Sequence, residues 1–209
     1  DLYHSFGRLQ ANLLVEGFYT MLNNVFTLVR IGENEDGSIV YWERRNGSGA
    51  TVAGVNFEGK IGIPHRFELQ LGYTLQSSRY DTPERWSDQL APQRKMFRAP
   101  DHYGYLTSLF DITPRFKASL FGTYTGSMLV KHILSDGTNE TDLEQNTPSF
   151  WDMGIKLAYT FRIGKAVDLE VNTGVKNIFD AYQKDLDYGA FKDADYVYGP
   201  SLPRMYFVG

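Results

Sequence analysis

The sequence predicts an all-β protein with about eight long strands in the antiparallel, up-and-down order of a transmembrane β-barrel. Three observations point there. Long stretches alternate apolar and polar residues with a period of two, which puts successive side chains on opposite faces of a strand. Short and long connections alternate along the chain, so every long one falls at the same end. No run of about 18 apolar residues exists, so any membrane crossing is made by strands rather than a helix.

The clearest strand begins at Val167. Val167, Leu169, Val171, Thr173, Val175 and Phe179 form one set, and Asp168, Glu170, Asn172, Lys176 and Asp180 form the other. About 14 residues at about 3.3 Å each reach roughly 45 Å, enough to cross a bilayer core when tilted.

In chain order, the first strand starts near Gly7, with Leu9, Leu13, Val15 and Tyr19 opposing Arg8, Gln10, Asn12 and Glu16, and is expected to continue to about Ile31. Residues 32–37 carry the Gly, Asn and Asp of a hairpin turn. Val55, Phe57, Gly59, Ile61 and Ile63 then alternate with Asn56, Glu58 and Lys60. Phe67, Leu69, Leu71, Tyr73 and Leu75 alternate with Glu68, Gln70 and Thr74. Residues 78–100 read as a long polar loop, 103–112 as a strand, and 116 to about 133 as another. A second loop covers 135–148. Trp151, Met153, Ile155, Leu157, Tyr159, Phe161 and Ile163 then oppose Asp152, Lys156 and Arg162. Residues 183–195 form a third long loop, and an aromatic strand ends the chain. The short turns lie near positions 64, 114 and 165. Each connection is too short for a crossover helix, so neighbours pair antiparallel.

A charge at the bilayer midplane on a barrel's outer face costs roughly 2–4 kcal/mol. Glu58, Glu68, Lys117, Lys156, Arg162, Glu170 and Lys176 are therefore expected to face the lumen, and Leu69, Leu71, Leu120, Leu157, Tyr159 and Val171 the lipid. The competing reading is a soluble sandwich whose apolar face is core. Strands of about 12 to 15 residues argue against it. Aromatics at 15%, with 14 Tyr and 14 Phe, suit interfacial girdles as well as a soluble core and decide nothing alone. The net charge of -4 gives no support for nucleic-acid binding. With no cysteine there is no disulfide, thiolate metal site or cysteine nucleophile. The chain opens at Asp1 without an apolar leader, as expected of a mature chain or a fragment.

The segment Gly174-Val175-Lys176-Asn177-Ile178-Phe179-Asp180-Ala181-Tyr182, followed by Tyr198-Gly199-Pro200 and Pro203-Arg204, resembles the C-terminal end of a TonB-dependent outer-membrane receptor. Residues 47–59 resemble a strand of that family more weakly, with Asn56 and a single Glu58 in its acidic pattern. The resemblance implies a barrel of about 22 strands with a plug. Residues 1–209 would then be the C-terminal part of that barrel in the cell outer membrane. The plug would lie elsewhere in the receptor, as would its contact with the TonB complex. The implied function is active transport of a scarce nutrient: a ferric siderophore, haem, cobalamin or a glycan. The alternative is a free-standing eight-stranded outer-membrane barrel with a structural or porin-like role.

On the receptor reading the long loops capture the nutrient, and Tyr80, Arg85, Trp86, Arg94 and Tyr188 are the candidate contacts. Arg204 is expected to point into the lumen so that Met205 and Phe207 can face lipid. His4, His65, His102 and His132 show no metal-ligand spacing. The acids at 136, 140, 142 and 144 match no EF-hand spacing, and Asp185 and Asp187 read as solvated loop acids. Asp101-His102 has no serine in a nucleophile motif, which counts against an outer-membrane lipase or protease. No cofactor and no catalytic residue is expected.

Overall fold

The computed structural model describes residues 1–35 and 40–209. Its strands are β1 (Leu2–Phe6), β2 (Leu9–Leu22), β3 (Phe26–Glu33), β4 (Val40–Asn46), β5 (Ala50–Ile63), β6 (Phe67–Glu84) and β7 (Gln93–Lys95). Then follow β8 (His102–Thr113), β9 (Phe116–Thr125), β10 (Leu129–Ser135), β11 (Glu140–Asn146), β12 (Phe150–Ile163), β13 (Val167–Lys176) and β14 (Met205–Val208). The main sheet has ten strands in the order β1-β2-β5-β6-β8-β9-β12-β13-β14, with β7 added on β6. Every pairing is antiparallel. The hairpins β3–β4 and β10–β11 form separate two-stranded sheets.

Sequential antiparallel order puts the turns at 7–8, 64–66, 114–115 and 164–166 at one end and all the long connections at the other. The short turns are built locally. Gly7, His65 and Gly164 take left-handed φ values of 64°, 59° and 66°. At 114–115 the Thr113 hydroxyl accepts from the backbone N–H of Arg115 (3.3 Å) and Phe116 (3.0 Å).

Several boundaries differ from the sequence expectation. The first strand stops at Leu22, because Asn24 turns left-handed (φ 55°), and β3 restarts in another sheet. The expected turn at 32–37 begins inside β3, and its residues 36 and 37 lie outside the described residues. An additional edge strand, β1, precedes the first expected strand. The strand expected from 116 to about 133 is two strands, β9 and β10, in different sheets. The loops at 78–100 and 135–148 contain β7, β11 and the end of β6. The 167 strand ends at Lys176, after which Asn177 and Asp180 are both left-handed (φ 49° and 54°).

The registers sort the faces. Ile155, Leu157, Tyr159, Phe161 and Ile163 stand opposite Val175, Thr173, Val171, Leu169 and Val167. Glu58, Glu68, Lys117, Lys156, Arg162, Glu170 and Lys176 all fall on the other face. Among the described residues the apolar face is not covered by any second layer. Leu157, Tyr159, Leu169 and Ile163 are exposed on the apolar face, while Ala50, Thr74, Ser78 and Ala158 are buried on the polar face. A water-soluble sandwich has no place for that arrangement.

Two aromatic bands mark the limits of the apolar face. Toward the long connections, Tyr73, His102, Tyr124 and Trp151 form a chain of ring contacts, closest between Tyr124 and Trp151 at 4.5 Å. Toward the short turns, Phe67 packs on Phe110, and Tyr159 lies 4.6 Å from Phe161. Trp151 and Phe161 are ten residues apart on β12. That is about 33 Å along the strand, or about 25 Å in height at a tilt near 40°, the height of a barrel's apolar band.

On the polar face, rings lie over glycines directly opposite: Phe18 over Gly54, Tyr105 over Gly72, Phe121 over Gly154 and Phe207 over Gly174. A Cβ on Gly72 would come within 2.2 Å of the Tyr105 ring, so only glycine fits there. Phe207 on this face corrects the expectation for the final strand. Met205 and Phe207 stand opposite Lys176 and Gly174, while Tyr206 and Val208 carry the apolar face. Between Lys176 and Met205 the chain passes through four residues of positive φ, Asn177, Asp180, Gly189 and Gly199, so alternation does not carry across this connection.

Among the described residues β1 and β14 form no ladder with each other. The closed eight-stranded barrel needs that ladder, so the sheet is an open wall.

Candidate functional site

The long connections are not loose. They pack into a second structural layer that has its own apolar cluster of Val130, Phe150, Tyr196 and Tyr198, with Met128 and Ala181 against it. Around this cluster runs a polar network. The Asp185 carboxylate accepts the Tyr198 hydroxyl at 2.6 Å and the Tyr196 hydroxyl at 2.8 Å. The buried His132 ring stacks on Tyr196 (centroids 3.6 Å, 5° between planes), and its Nε2 lies 2.9 Å from Asp187 Oδ2. Gln183 closes the loop on itself, donating to the Tyr196 carbonyl (3.1 Å) and accepting from the Tyr198 N–H (2.7 Å). The Arg98 guanidinium donates to the carbonyls of Val197 (2.8 Å) and Asp195.

The electrostatics follow from these contacts. Burial pushes the Asp185 carboxyl up, and the two tyrosine hydrogen bonds outweigh it, leaving it below the usual carboxylate range. Burial, then the bond to Asp185, pushes Tyr196 and Tyr198 above the usual tyrosine range. Asp185 and Asp187 are therefore anchors rather than the solvated acids expected from the sequence. Asp136 is lowered by the backbone N–H groups of Asn139 and Thr138 and caps its own turn.

Beside this layer lies a cleft of about 780 Å³ between the β3–β4 hairpin, residues 84–89 and the β10–β11 hairpin. Arg45, Arg85, Trp86, Asp88, Glu140 and Asp142 line it. Trp86 is fixed from three sides. Its Nε1 donates to Glu144 Oε1 at 2.8 Å, Phe97 meets it edge-on at 6.2 Å, and the Lys131 ammonium lies 5.0 Å from its ring and 4.8 Å from that of Phe97. Desolvation between the rings lowers the Lys131 ammonium, and Glu144 opposes that. Gln89 ties the same two connections, donating to the Glu140 carbonyl (2.9 Å) and accepting from the Asp142 N–H (3.1 Å).

Of the five contact candidates, Arg85 and Trp86 line this cleft together. Tyr188 lies in a separate hollow of about 550 Å³ with Phe191 and Asp136. Tyr80 belongs to β6, opposite Ala50, rather than to a loop. Arg94 donates to the Asp81 carbonyl at 2.6 Å. Lys131, Phe97 and Arg45 were not identified from the sequence, and Glu144 was seen there only as one acid of a charged loop. The signal that could have found two of them is the direct Lys131–Glu144 pairing in β10–β11.

The terminal motif has a mechanical basis. Asn177, buried, donates to the carbonyls of Ala181 (3.2 Å) and Leu202 (2.8 Å) and accepts from the Ala181 N–H (2.8 Å). Asp180 accepts the Arg204 N–H at 2.9 Å, and Arg204 Nε donates to the Ile178 carbonyl at 3.0 Å. The Asn-Ile-Phe-Asp and Pro-Arg pieces thus hold each other, and Arg204 closes that turn. Among the described residues no group of three or more His, Cys, Asp or Glu side chains is placed to hold a metal ion.

The fold has clear relatives among solved structures. The ferric-catecholate import receptor Fiu of Escherichia coli K12 matches 96% of this chain and 24% of its own, at a TM-score of 0.59 and 23% identity. The copper transporter OprC matches 99% of this chain and 29% of its own (TM-score 0.57, 14% identity). The outer-membrane ferripyoverdine receptor of Pseudomonas aeruginosa, solved with ferripyoverdine, matches 84% and 22% (TM-score 0.54, 16% identity). The chain thus spans about a quarter of the length of these receptors. No protein-family model and no curated protein matches it. The all-β, up-and-down sheet is the fold of a stretch of β-barrel wall as found in TonB-dependent receptors.

Proposed function

We propose that residues 1–209 are the C-terminal part of the barrel of a TonB-dependent receptor in the cell outer membrane, which imports a scarce nutrient. The observation that carries this reading is the exposed apolar face, about 25 Å tall between aromatic bands, with every long connection at one end. In this reading the charged face lines the lumen and meets the plug. The open edges β1 and β14 pair with the remaining barrel strands, and the plug engages the TonB complex. The rigid outer layer supplies part of the nutrient site, with Arg85 and Trp86 at its cleft and Tyr188 at its tip. Tyr80 and Arg94 support that layer. Of the candidate cargoes, a ferric chelate has the support that two of the fold relatives import or bind one, whereas the third is a copper transporter.

The test is genetic and biochemical together. A strain lacking the intact protein should lose growth on one limiting source among ferric siderophores, haem, cobalamin and glycans, and regain it on complementation. The protein should fractionate with the outer membrane and migrate faster on gels before heating than after. A soluble, heat-insensitive protein would refute the reading.

A further inference from the structure

We propose that the short-turn end of the wall binds the headgroups of anionic phospholipids, with Arg8, Arg66, Arg115 and Lys165 as the phosphate contacts. The proposal rests on the outer-membrane reading and adds to it a ligand class and four residues.

The first observation is compositional and positional. Each short turn, 7–8, 64–66, 114–115 and 164–166, carries one Lys or Arg and no carboxylate. The long connections at the other end mix both signs. The second observation is that none of these four cations forms a direct ion pair among the described residues. Carboxylates on the adjoining strands pair elsewhere: Glu68 with Lys60 (2.8 Å) and Asp168 with Arg162 through two bonds of 2.8 and 3.0 Å, with Arg115 acting on Asp168 electrostatically from further off, while Asp111 Oδ1 has only the Lys117 ammonium, at 3.9 Å. Arg8, Arg66, Arg115 and Lys165 are exposed and make no ion pair among the described residues.

The third observation sets their depth. Phe6 precedes the first turn, Ile112 the third, and Ile163 and Val167 flank the fourth, all exposed apolar residues. The cations therefore stand one to three residues beyond the last lipid-facing side chain, within about 10 Å along the strand. That is headgroup depth, where a long basic side chain keeps its stem on apolar surface and its charge in the polar layer. The turn backbones are held. Arg66 donates its N–H to the Ile63 carbonyl (3.0 Å) and accepts from the Asp111 N–H (2.8 Å), and the Arg115 carbonyl accepts from the Thr160 N–H (2.8 Å). Fixed turns with exposed cationic ends set a row of positive charge at the depth of a mobile phosphodiester, whose attraction needs charge rather than one fork geometry.

The experiment uses the intact protein in bilayers of phosphatidylethanolamine and phosphatidylglycerol in equal parts. Spin-labelled forms of each lipid report which is motionally restricted at the protein surface. One cation near the surface corresponds to about five-fold enrichment of the anionic lipid at its site. The preference should vanish in a variant carrying Arg8→Gln, Arg66→Gln, Arg115→Gln and Lys165→Gln. It should persist when the three arginines become lysine. As a readout that needs no variant, the preference of the unmodified protein should fall as salt rises to about 1 M, where charges are screened beyond about 3 Å. Equal association of the two lipids, a preference that ignores salt, or one that survives the Gln changes would overturn the proposal. So would a photo-crosslinker at position 65 that captures a protein segment instead of lipid. Heat-modifiable migration is measured on each sample. A folded barrel without lipid preference overturns the rim alone, whereas an unmodified protein that never becomes heat-modifiable overturns the membrane reading with it.

Discussion

An arginine at position 155 tests the assignment of faces most directly. Ile155 lies on β12 between Leu120 of β9 and Val175 of β13, all on the apolar face. It sits four residues from Trp151 in one aromatic band and four from Tyr159 in the other, so it marks the midplane. Ile155→Arg should cost about 3 kcal/mol of folding free energy into a bilayer, more than a hundred-fold in the folding equilibrium. Ile163→Arg puts the same charge on the same face at the short-turn rim, where the cost falls to about 0–1 kcal/mol. Lys156→Leu, next to Ile155 but on the polar face, removes a charge from the wet side and should fold almost as well as the unmodified protein. The assay is urea-dependent folding of the intact protein into lipid vesicles, read by the gel shift between unheated and heated samples. If Ile155→Arg is no worse than Ile163→Arg, or Lys156→Leu matches it, the apolar face is not in lipid.

Three other outcomes follow from particular contacts. Gly72→Val should block assembly, since its Cβ meets the Tyr105 ring at 2.2 Å, and adding Tyr105→Ala should restore the gel shift; failure of that rescue would show that the ring is not the obstacle. Trp86→Ala removes the bond to Glu144 and the ring over Lys131, about 2 kcal/mol of local anchoring, and should speed limited proteolysis within 84–101 by roughly thirty-fold while leaving the gel shift intact. The lowered Asp185 carboxyl stabilises the outer layer above the ordinary carboxylate range and loses that contribution as pH falls through its depressed value. Tyr196 and Tyr198, raised, lose theirs only as pH rises beyond the ordinary tyrosine range. Phenolate absorbance should accordingly show these two ionising after the exposed tyrosines, and Asp185→Asn should remove the acid limb of loop proteolysis.

The wall was legible because each membrane strand must alternate. Lipid punishes a charge on one face and water penalises nothing comparable on the other, so the sets at 151–163 and 167–175 read directly from the residues. The outer layer was not legible because water imposes no such rule. Nothing in the period of Leu129 to Ser135 says that the chain changes sheets after Thr125, and the left-handed φ of Asn24 leaves no mark beyond an Asn that many loops contain. Long-range side-chain bonds decide that layer. Trp86 to Glu144 spans 58 positions and His132 to Asp187 spans 55, and neither spacing is a motif. Asp185 and Asp187 looked like solvated acids because their partners are tyrosine hydroxyls and a histidine brought in by folding.

The location of the apolar cluster of buried residues follows from the change of solvent along the strands. On the outer-membrane reading, lipid accepts the apolar face between the aromatic bands, so side chains such as Leu157 and Val171 need no protein partner and remain exposed. Beyond Trp151 the same chain enters water, where apolar surface must be buried against something. Phe150, one residue before Trp151 and on the opposite face, is where that happens. Its ring lies 5.9 Å from Tyr198, which together with Tyr196 and Val130 closes the cluster. The last residue of the wall is thus the first residue of the outer core. The 177–204 connection is anchored on β12 at Phe150 and through the Ile178 N–H bond to the Met153 carbonyl (2.8 Å). Phe150 joins this connection to the wall by side-chain packing. Phe150→Ala should therefore loosen residues 177–204 in hydrogen exchange without shifting the folding midpoint of the wall, and a loss of both together would show that the two layers fold as one.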